Sequence, residues 1–461
     1  MGEGGQAAPL FIPMVDFNSA ANAADARAMK RRTLTLALLT LTYFFSYMDR
    51  QILAILQELI KKDLHLSDTQ LGLLSGLAFA IFYATLGIPV ARLADRANRR
   101  NIVAISLAIW SVMTAAGGLA QNFTQLLIAR IGVGIGEAGS SPPSHSIIAD
   151  LYPPDRRAGA MGVYSLGVVL GAALGTFIGG LVASAYGWRA AMYVIGLPGV
   201  ALAVVVWLFV VEPRRGLADP RPHDPDEAVP SLRQGFASIL ATAPALHLVM
   251  AVTLTSMIGY GLTAWGPSFM VRSLGFTVRE ISLYVALPAG AAGALSAVFG
   301  GKLADRLARS HGLYAQATMV AVLKTLALPF TLGFFLLGSP AAALASYFAY
   351  VLLANSYLGP TFALIQGLAP VRLRALWAAI TLLVINLIGL GLGPTLVGVI
   401  SDLLKPSLGT ESLRWSMLIF AAVTPWAIFH FWRAGVLLKR QAQLQPSSTL
   451  SSNNPNASVE A

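Results

Sequence analysis

The chain has 461 residues, of which 56% are hydrophobic and 11% are charged, with a formal net charge of +11. A soluble domain carries roughly twice that share of charged residues, so the composition predicts an integral membrane protein. The chain contains no cysteine. Disulfides, thiolate catalysis and cysteine-ligated metal sites are therefore excluded.

Apolar runs of about 20 residues, the length needed to cross a bilayer, recur along the sequence. Twelve are predicted, and they indicate an all-α membrane protein with two bundles of six helices, 30–211 and 243–440. A polar linker, 212–242, separates the bundles. The polar ends, 1–29 and 441–461, are expected to be disordered. The predicted spans are 33–60, 69–91, 102–121, 124–149, 158–184, 190–211, 243–270, 281–301, 314–337, 340–368, 376–403 and 415–437.

Lysine and arginine are distributed unevenly between the two sides of the predicted bundle. With both termini on one side, 22 of the 32 basic residues fall on that side and seven fall in the opposite loops. Cytoplasmic loops carry the excess of basic residues, so both termini and the linker are predicted to be cytoplasmic. The positive charge therefore reflects topology rather than nucleic-acid binding. The short loops and tails favour a bacterial inner membrane, and a monomer is expected.

The two predicted bundles repeat one another in sequence. Residues 91–99, after the second span, read ARLADRANR, and residues 301–309, after the eighth, read GKLADRLAR. The fifth and eleventh spans carry matching glycine-rich stretches at 171–180 and 389–398. Two repeated six-helix halves joined by a linker are typical of alternating-access transporters.

The L-A-D-R-x-x-R loop and its second copy resemble the signature loop of the major facilitator superfamily, and the resemblance covers about residues 30–440. Two stretches are similar to the spinster family, known for moving lysophospholipids and sphingosine-1-phosphate: YMDRQILA at 47–54 and GVGIGEAGSSPPSHSIIADLYP at 132–153. Anion:cation symporters share a similar D-R and G-x-G-E-A, so the continuation SHSIIAD at 144–150 is the specific signal. The resemblance implies that helices one, four, seven and ten line a central cavity.

Four ionisable residues are expected near mid-membrane in the first and fourth helices: Asp49, Arg50, Arg130 and Glu137. A charge there costs at least about 2.5–3.5 kcal/mol, so it normally has a partner and a function. Asp49 and Glu137 are predicted to couple proton movement to transport, with Glu137 the favoured carrier. Arg50 and Arg130 are predicted to tune these acids and to meet an anionic headgroup. A purely structural lattice of ion pairs is the alternative.

The repeated loops are expected to gate the transporter rather than to bind cargo. An acid at the membrane edge can cap a facing helix and pair with arginine on a neighbouring segment. The resemblance implies that this loop latches the two halves in the outward-facing state. Arg99 and Arg100 are interpreted as ordinary positive-inside residues. The predicted gate residues are Asp95, Arg96, Asp150, Arg156, Asp305 and Arg306.

The cavity helices of the second half are predicted to carry less charge. Lys324 stands alone in the ninth helix and is expected either to snorkel or to pair with a phosphate or carboxylate. Gly266-Pro267 predicts a break in the seventh helix. Aromatic and polar side chains suit an acyl chain, although each is also ordinary in a membrane helix. Those predicted to line the cavity are Phe45, Tyr47, Tyr83, Tyr260, Trp265, Asn355 and Tyr357.

The sequence offers no H-x-x-x-H spacing, no G-x-S-x-G and no phosphate-binding loop, so neither an enzyme nor an ATP-driven pump is expected. No cofactor or metal is predicted. The predicted function is proton-coupled transport of a lysophospholipid or similar amphiphilic lipid. The alternative is a proton-coupled symporter of small organic anions, which would need cations in both halves. In the second half, Lys324 is the one cation predicted inside the membrane, which favours an amphiphile with one charged end.

Overall fold

The computed structural model describes residues 25–218 and 231–444, and these residues form helices joined by turns. Among them, eight helical stretches are long and apolar enough to cross a membrane by length and composition. Two of these, Pro154–Phe209 and Val371–Leu444, each contain two successive spans. The first and fourth spans, which carry buried charges, complete the twelve. The predicted all-α fold with two six-helix halves is confirmed.

The helices of each half follow one another in the predicted order. The first half consists of Arg32–Leu64, Asp68–Ser75, Leu77–Ala94, Arg99–Gly117, Phe123–Glu137, Ser141–Leu151 and Pro154–Phe209. The second half consists of Ala243–Leu274, Val278–Glu280, Ile281–Ala286, Leu287–His311, Tyr314–Leu336, Pro340–Ala354, Leu358–Leu368, Val371–Leu373, Arg374–Val384, Ile385–Leu392, Gly393–Leu408, Gly409–Glu411, Ser412–Ala421 and Thr424–Leu444.

The boundaries of the two bundles differ in detail from the prediction. Residues 25–30 are helical, so ordered structure begins before the expected boundary at residue 30. Within the predicted linker, Leu232–Ala241 forms a helix, and a capping box between Ser231 and Gln234 begins it. Residues 1–24 and 445–461, where the sequence predicts disorder, and linker residues 219–230 lie outside the described residues.

The fourth and tenth helices are interrupted near their middles. The fourth breaks between Glu137 and Ser141, and the tenth breaks between Ala354 and Leu358. The seventh helix, in contrast, runs without interruption from Ala243 to Leu274 with Pro267 inside it, so the predicted break at Gly266-Pro267 was wrong. Neighbouring helices can satisfy the backbone groups that a proline frees, which is why membrane helices tolerate it.

The first helix is held in the first half by a row of glycines in the fifth span. These glycines recur every fourth residue from Gly167 to Gly179. A Cβ on Gly167 would lie 2.6 Å from the Thr40 carbonyl oxygen, and one on Gly175 would lie 2.8 Å from the Met48 Cα. Only glycine allows this close approach of two helices. The approach fixes the stretch of the first helix that carries the predicted charges.

The two halves meet at one end of the molecule, here named the closed end, where the first span ends at Leu64 and the second begins at Asp68. There the start of the second span packs on Gly393–Leu408, and the first span packs on Ala243–Leu274. The other end is named the open end. There the repeated loops make no ion pair between the halves within the described part of the chain.

Candidate functional site

Two crossed ion pairs connect the first and fourth helices. Arg50 Nε and Nη2 each lie 2.8 Å from Glu137 Oε2. Arg130 Nη1 lies 3.7 Å from Asp49 Oδ2. Asp49, Arg130 and Glu137 are buried, while the Arg50 side chain keeps 12% of its surface exposed. The structure therefore brings the four predicted residues into one formally neutral group.

Two hydroxyl groups also donate hydrogen bonds to the acids of this group. Thr114 Oγ1, from the third helix, donates to Asp49 Oδ1 at 2.5 Å. Ser46 Oγ, one turn before Arg50, donates to Glu137 Oε2 at 2.7 Å. Sequence reasoning missed both. The spacing of Ser46 from Arg50 was a usable signal, because residues four apart share a helix face, whereas nothing local marked Thr114.

Each of the two carboxylates keeps one oxygen without a hydrogen-bond partner. These atoms are Asp49 Oδ2 and Glu137 Oε1, and both are buried. Buried polar atoms almost always have a partner, so two unsatisfied oxygens in one group need an explanation. A carboxylate oxygen in this position can accept a proton or a donor from a ligand. The Asp49–Arg130 pair has the longer contact of the two ion pairs. Arg130 Nε donates a long hydrogen bond, 3.5 Å, to the Leu74 carbonyl rather than to Asp49.

Three aromatic rings surround the guanidinium of Arg50. Its Cζ lies 4.9 Å from the ring centroid of Tyr47, 5.0 Å from that of Phe79 and 4.6 Å from that of Tyr83. Aromatic faces at this distance attract a cation. The rings hold Arg50 at the boundary between the buried ion pairs and the partly exposed aromatic residues of the interior.

Most residues predicted to line the cavity keep some exposed surface. Tyr260 packs against apolar clusters of both halves, and Tyr357 Oη lies 3.2 Å from Ser256 Oγ. Trp265 is the exception, because it is completely buried and its Nε1 donates to the Pro394 carbonyl at 2.8 Å. Its predicted place in the cavity was wrong, since this part of the seventh helix packs at the closed end. The partly exposed or exposed residues are Phe45, Tyr47, Tyr83, Tyr260, Asn355 and Tyr357.

Lys324 lies apart from the charged group, in the ninth helix. It is 8% exposed, and its Nζ is 4.5 Å from the ring centroid of Tyr357. Within residues 25–218 and 231–444 it has no ion pair and no hydrogen bond to its ammonium group. The structure therefore places a buried cation in the second half without an acidic partner.

Five of the six predicted gate residues are exposed, and the sixth, Asp150, is not. Asp95, Arg96, Asp305 and Arg306 are exposed at the open end, and none of them has an ion pair among the described residues. Arg156 is exposed as well and pairs at 3.8 Å with the exposed side chain of its neighbour Asp155.

Asp150 belongs to a buried cluster inside the first half. It forms an ion pair with Arg99 and accepts a hydrogen bond from the Gly216 backbone N–H at 2.9 Å. Arg99 is fully buried, and its Nε donates to Glu212 Oε1 at 2.6 Å. The interpretation of Arg99 as an ordinary positive-inside residue was wrong. Asp150 and Arg156, both predicted gate residues, have different partners, since Asp150 pairs with Arg99 and Arg156 pairs with Asp155. Arg99 ties the third and fourth helices to the chain that follows the sixth.

Among residues 25–218 and 231–444, the most extensive charged contacts between the halves lie at the closed end, where sequence reasoning predicted none. Arg272 of the second half bonds both oxygens of Asp68 at 2.7 and 2.8 Å, and it lies 2.7 Å from Glu58. Asp402 of the second half accepts from the backbone N–H groups of Asp68, at 3.1 Å, and Thr69, at 2.7 Å. The carboxylate thus caps the start of the second span. These residues are named the closed-end cluster.

Comparison with known proteins gives consistent results. The family model described as Major Facilitator Superfamily matches residues 39–394. An "MFS-type efflux pump" of Mycolicibacterium smegmatis is 34% identical over 90% of this chain and 96% of its own length. A "Hexuronate transporter" of Bacillus subtilis is 30% identical over 53% of this chain and 57% of its own length.

A solved structure adds the subfamily. A bacterial homologue of the human lysosomal transporter Spinster, described as inward-facing and unoccupied, superposes with a TM-score of 0.79. It is 30% identical, and the match covers 88% of this chain and 98% of that structure. The match spans both halves of the chain. The chain is therefore an integral, multi-pass membrane transporter rather than an enzyme, and it belongs to the spinster family of the major facilitator superfamily.

Proposed function

We propose that the chain is a proton-coupled secondary transporter that works by alternating access and moves a lysophospholipid or similar amphiphile. The observation that carries the proposal is the buried group of Asp49, Arg50, Arg130 and Glu137. Each acid has an unsatisfied oxygen. An ionisable group inside a membrane protein usually marks an ion or substrate pathway.

The geometry of the group supports a linkage between proton and headgroup. Arg50 is neutralised by Glu137, so protonation of Glu137 would free the guanidinium for an anionic headgroup. Arg130 is 3.7 Å from Asp49, a weaker contact than the 2.8 Å between Arg50 and Glu137. This difference supports Asp49 as the first acid to take up a proton, in place of the sequence-based preference for Glu137. Protonated Asp49 would release Arg130, which shares the fourth helix with Glu137.

The exposed surfaces support an amphiphilic cargo. Tyr47, Tyr83, Tyr260 and Tyr357 carry apolar rings with polar tips, and all four keep some exposed surface. Tyr47 and Tyr83 lie against the partly exposed guanidinium of Arg50. A site with mostly aromatic walls and few charged groups suits a molecule with one charged end and an acyl chain.

The proposal includes the sidedness of the molecule. The excess of Lys and Arg on the side of the termini supports a cytoplasmic open end, with both termini cytoplasmic. We place the chain, as a monomer, in a bacterial inner membrane. In the outward-facing state, Asp95 and Asp305 would pair with arginines of the loops, including Arg96 and Arg306, and close the open end.

A second candidate is proton-coupled transport of small organic anions. The similarity to a transporter named for hexuronate favours it, as does a cation in each half, Arg50 and Lys324. A small dianion or sugar acid would use both cations at once, whereas an amphiphile needs one charged contact and an apolar surface.

The test is flux of a labelled lysophospholipid into proteoliposomes, with and without an imposed pH gradient. The native chain should show gradient-dependent flux. Glu137→Gln and Asp49→Asn should each reduce the flux to the level seen without a gradient, because each removes a proton acceptor while keeping the side-chain shape. Asp155→Asn, at an exposed acid, is the matched control and should behave as the native chain.

Full gradient-driven flux in both Glu137→Gln and Asp49→Asn would contradict proton coupling through this group. Absence of lysophospholipid flux in the native chain, together with gradient-driven flux of glucuronate, would establish the organic-anion function instead.

A further inference from the structure

The interruption of the tenth helix places a helix N-terminus in the interior of the second half. Pro340–Ala354 ends before Asn355, and Leu358–Leu368 begins after Tyr357 without a side-chain cap. The first N–H groups of a helix have no intrahelical partner, and its N-terminus carries a partial positive charge. The break therefore offers positive potential and, since Pro360 has no N–H, the N–H groups of Leu358 and Gly359 within a membrane span.

Contacts with neighbouring helices hold this break open. Ser356 Oγ donates to the Ser296 carbonyl at 2.8 Å, and the two serine hydroxyls lie 2.9 Å apart. A Cβ on Gly300 would collide with Ser356, so the eighth helix approaches the break closely. On the other side, the hydroxyl of Tyr357 forms a hydrogen bond of 3.2 Å with that of Ser256 in the seventh helix. The break is consequently a built feature with fixed neighbours.

Lys324 reaches this break from the ninth helix. Its Nζ lies 4.5 Å from the ring centroid of Tyr357, the residue that immediately precedes the second helical segment. Lys324 is 92% buried, and the described residues give its ammonium neither a carboxylate nor a hydrogen-bond acceptor. A buried ammonium without a counter-charge is unfavourable, which is why buried lysines are normally paired.

The first half differs from the second in how its cations are balanced. There, Arg50 and Arg130 each face a carboxylate of the neighbouring helix. In the second half, a buried ammonium and a positive helix end occur together, and no acid balances them within the described residues. Two independent positive features thus meet at Tyr357, where an anion would balance both.

We propose that the break in the tenth helix is an anion site, in which Lys324 and the N-terminus of Leu358–Leu368 bind the phosphate or carboxylate of the transported molecule. The exposed Asn355 gives access to it. The cargo named here rests on the proposed function, but the anion chemistry does not. Arg50 is neutralised by Glu137 in this state, so the anion is received first in the second half.

The experiment compares two amphiphiles with the same acyl chain, lysophosphatidate and monoacylglycerol, binding to the full chain in nanodiscs. The native protein should prefer the anionic amphiphile. Lys324→Met should weaken lysophosphatidate binding at least about tenfold, since a charged contact away from water is lost, and leave monoacylglycerol binding unchanged. Lys324→Arg should retain most of the preference. Lys302→Met, at an exposed lysine of the eighth helix, is the matched control.

The other outcomes separate the anion site from the cargo. An unchanged preference for lysophosphatidate in Lys324→Met overturns the anion site and leaves lipid transport standing. If neither amphiphile binds, inorganic phosphate and glucuronate are tested by thermal shift. A stabilisation that disappears in Lys324→Met then supports the anion site and removes the amphiphile as cargo, whereas one that persists in Lys324→Met, or no stabilisation at all, overturns the site.

A second variant covers the case in which Lys324→Met does not fold. Asn355→Asp adds a negative charge at the exposed residue of the break and leaves Lys324 in place. It should weaken binding of lysophosphatidate and spare monoacylglycerol. Equal affinity for lysophosphatidate in Asn355→Asp and in the native chain would overturn the proposal.

Discussion

The two ends of the bundle use acidic residues in opposite ways. At the closed end, Asp68 is buried and binds Arg272 across the boundary between the halves. At the open end, Asp95 and Asp305 of the repeated loops are exposed and have no ion pair among the described residues. Asp95 and Asp305, which lie in the repeated sequence motif, therefore form no ion pair among the described residues in this state. Asp68, which joins the halves, lies outside that motif.

The comparison indicates how such a molecule can alternate. A contact that must form and break in each cycle is visible only in the state that contains it. The closed-end cluster is formed in the state described here, whereas the contacts of the repeated loops are proposed for the opposite one. Each of the following changes weakens one end and leaves the other intact.

The largest effect is expected from Gly72→Val, which obstructs the closed end sterically. A Cβ on Gly72 would lie 2.6 Å from the Pro394 carbonyl oxygen and 3.0 Å from the Thr395 Cα, both backbone atoms of the second half. Backbone atoms cannot rotate away as a side chain can. We expect the halves to be unable to meet at this end, so transport is abolished.

The natural absence of cysteine makes the measurement direct. Spin labels on Lys62→Cys and Arg279→Cys, two exposed closed-end positions in different halves, report their separation by electron paramagnetic resonance. In Gly72→Val the distance should lengthen. Gly87→Val is the matched control on the same span, because a Cβ there meets nothing within 4 Å. An unchanged distance together with normal transport in Gly72→Val would contradict the close packing.

A smaller effect is expected from Arg272→Met, which removes the charge that joins the halves and keeps the apolar stem. Breaking a buried ion pair by removing one partner costs about 3–5 kcal/mol, because the remaining charge stays buried. Lys61 still pairs with Asp68, which places the expected loss at the lower end of that range. The closed end should open in a substantial fraction of molecules.

The same pair of spin labels measures this change as a second, longer distance. Lys405→Met removes an exposed charge at the same end and should leave the distance distribution unchanged. A single short distance in Arg272→Met would show that apolar packing alone, including the buried Trp265, keeps the closed end shut.

Features that depend on local composition could be predicted from the sequence. The twelve spans, the two halves and the four charges of the first half follow from apolar length and from charges inside apolar runs. The pairing of these charges could not be predicted, because Asp49 and Arg50 are neighbours in sequence yet bind different residues of the fourth helix. Partner choice depends on the rotation of packed helices, which the glycines of the fifth span determine.

Positions that depend on which surfaces meet were misjudged. Trp265 has the composition of a cavity residue, but its part of the seventh helix packs against the eleventh span. Arg99 looks like an ordinary basic loop residue, and only the return of Glu212 to the third helix buries it. Gly266-Pro267 predicts a break that the neighbours prevent, whereas the tenth helix breaks at Asn355, just before its own Gly359-Pro360 pair.

The smallest effect on stability is expected from Asp95→Asn with Asp305→Asn, the exposed acids of the repeated loops. Exposed residues without partners change the free energy of unfolding by no more than about 0.5 kcal/mol, so the melting temperature should remain that of the native chain. The closed-end distance should also remain unchanged. Transport should slow, because these acids are proposed to hold the opposite state.

Arg99→Met provides the contrast at the same end of the molecule. Its loss leaves Asp150 and Glu212 without their common partner, so it should lower the melting temperature clearly while both ends keep their native separation. If Asp95→Asn with Asp305→Asn destabilises the chain as much as Arg99→Met does, the repeated loops are structural in this state as well. Normal transport in the double variant would instead show that the open end closes without these acids, through apolar contacts between the halves.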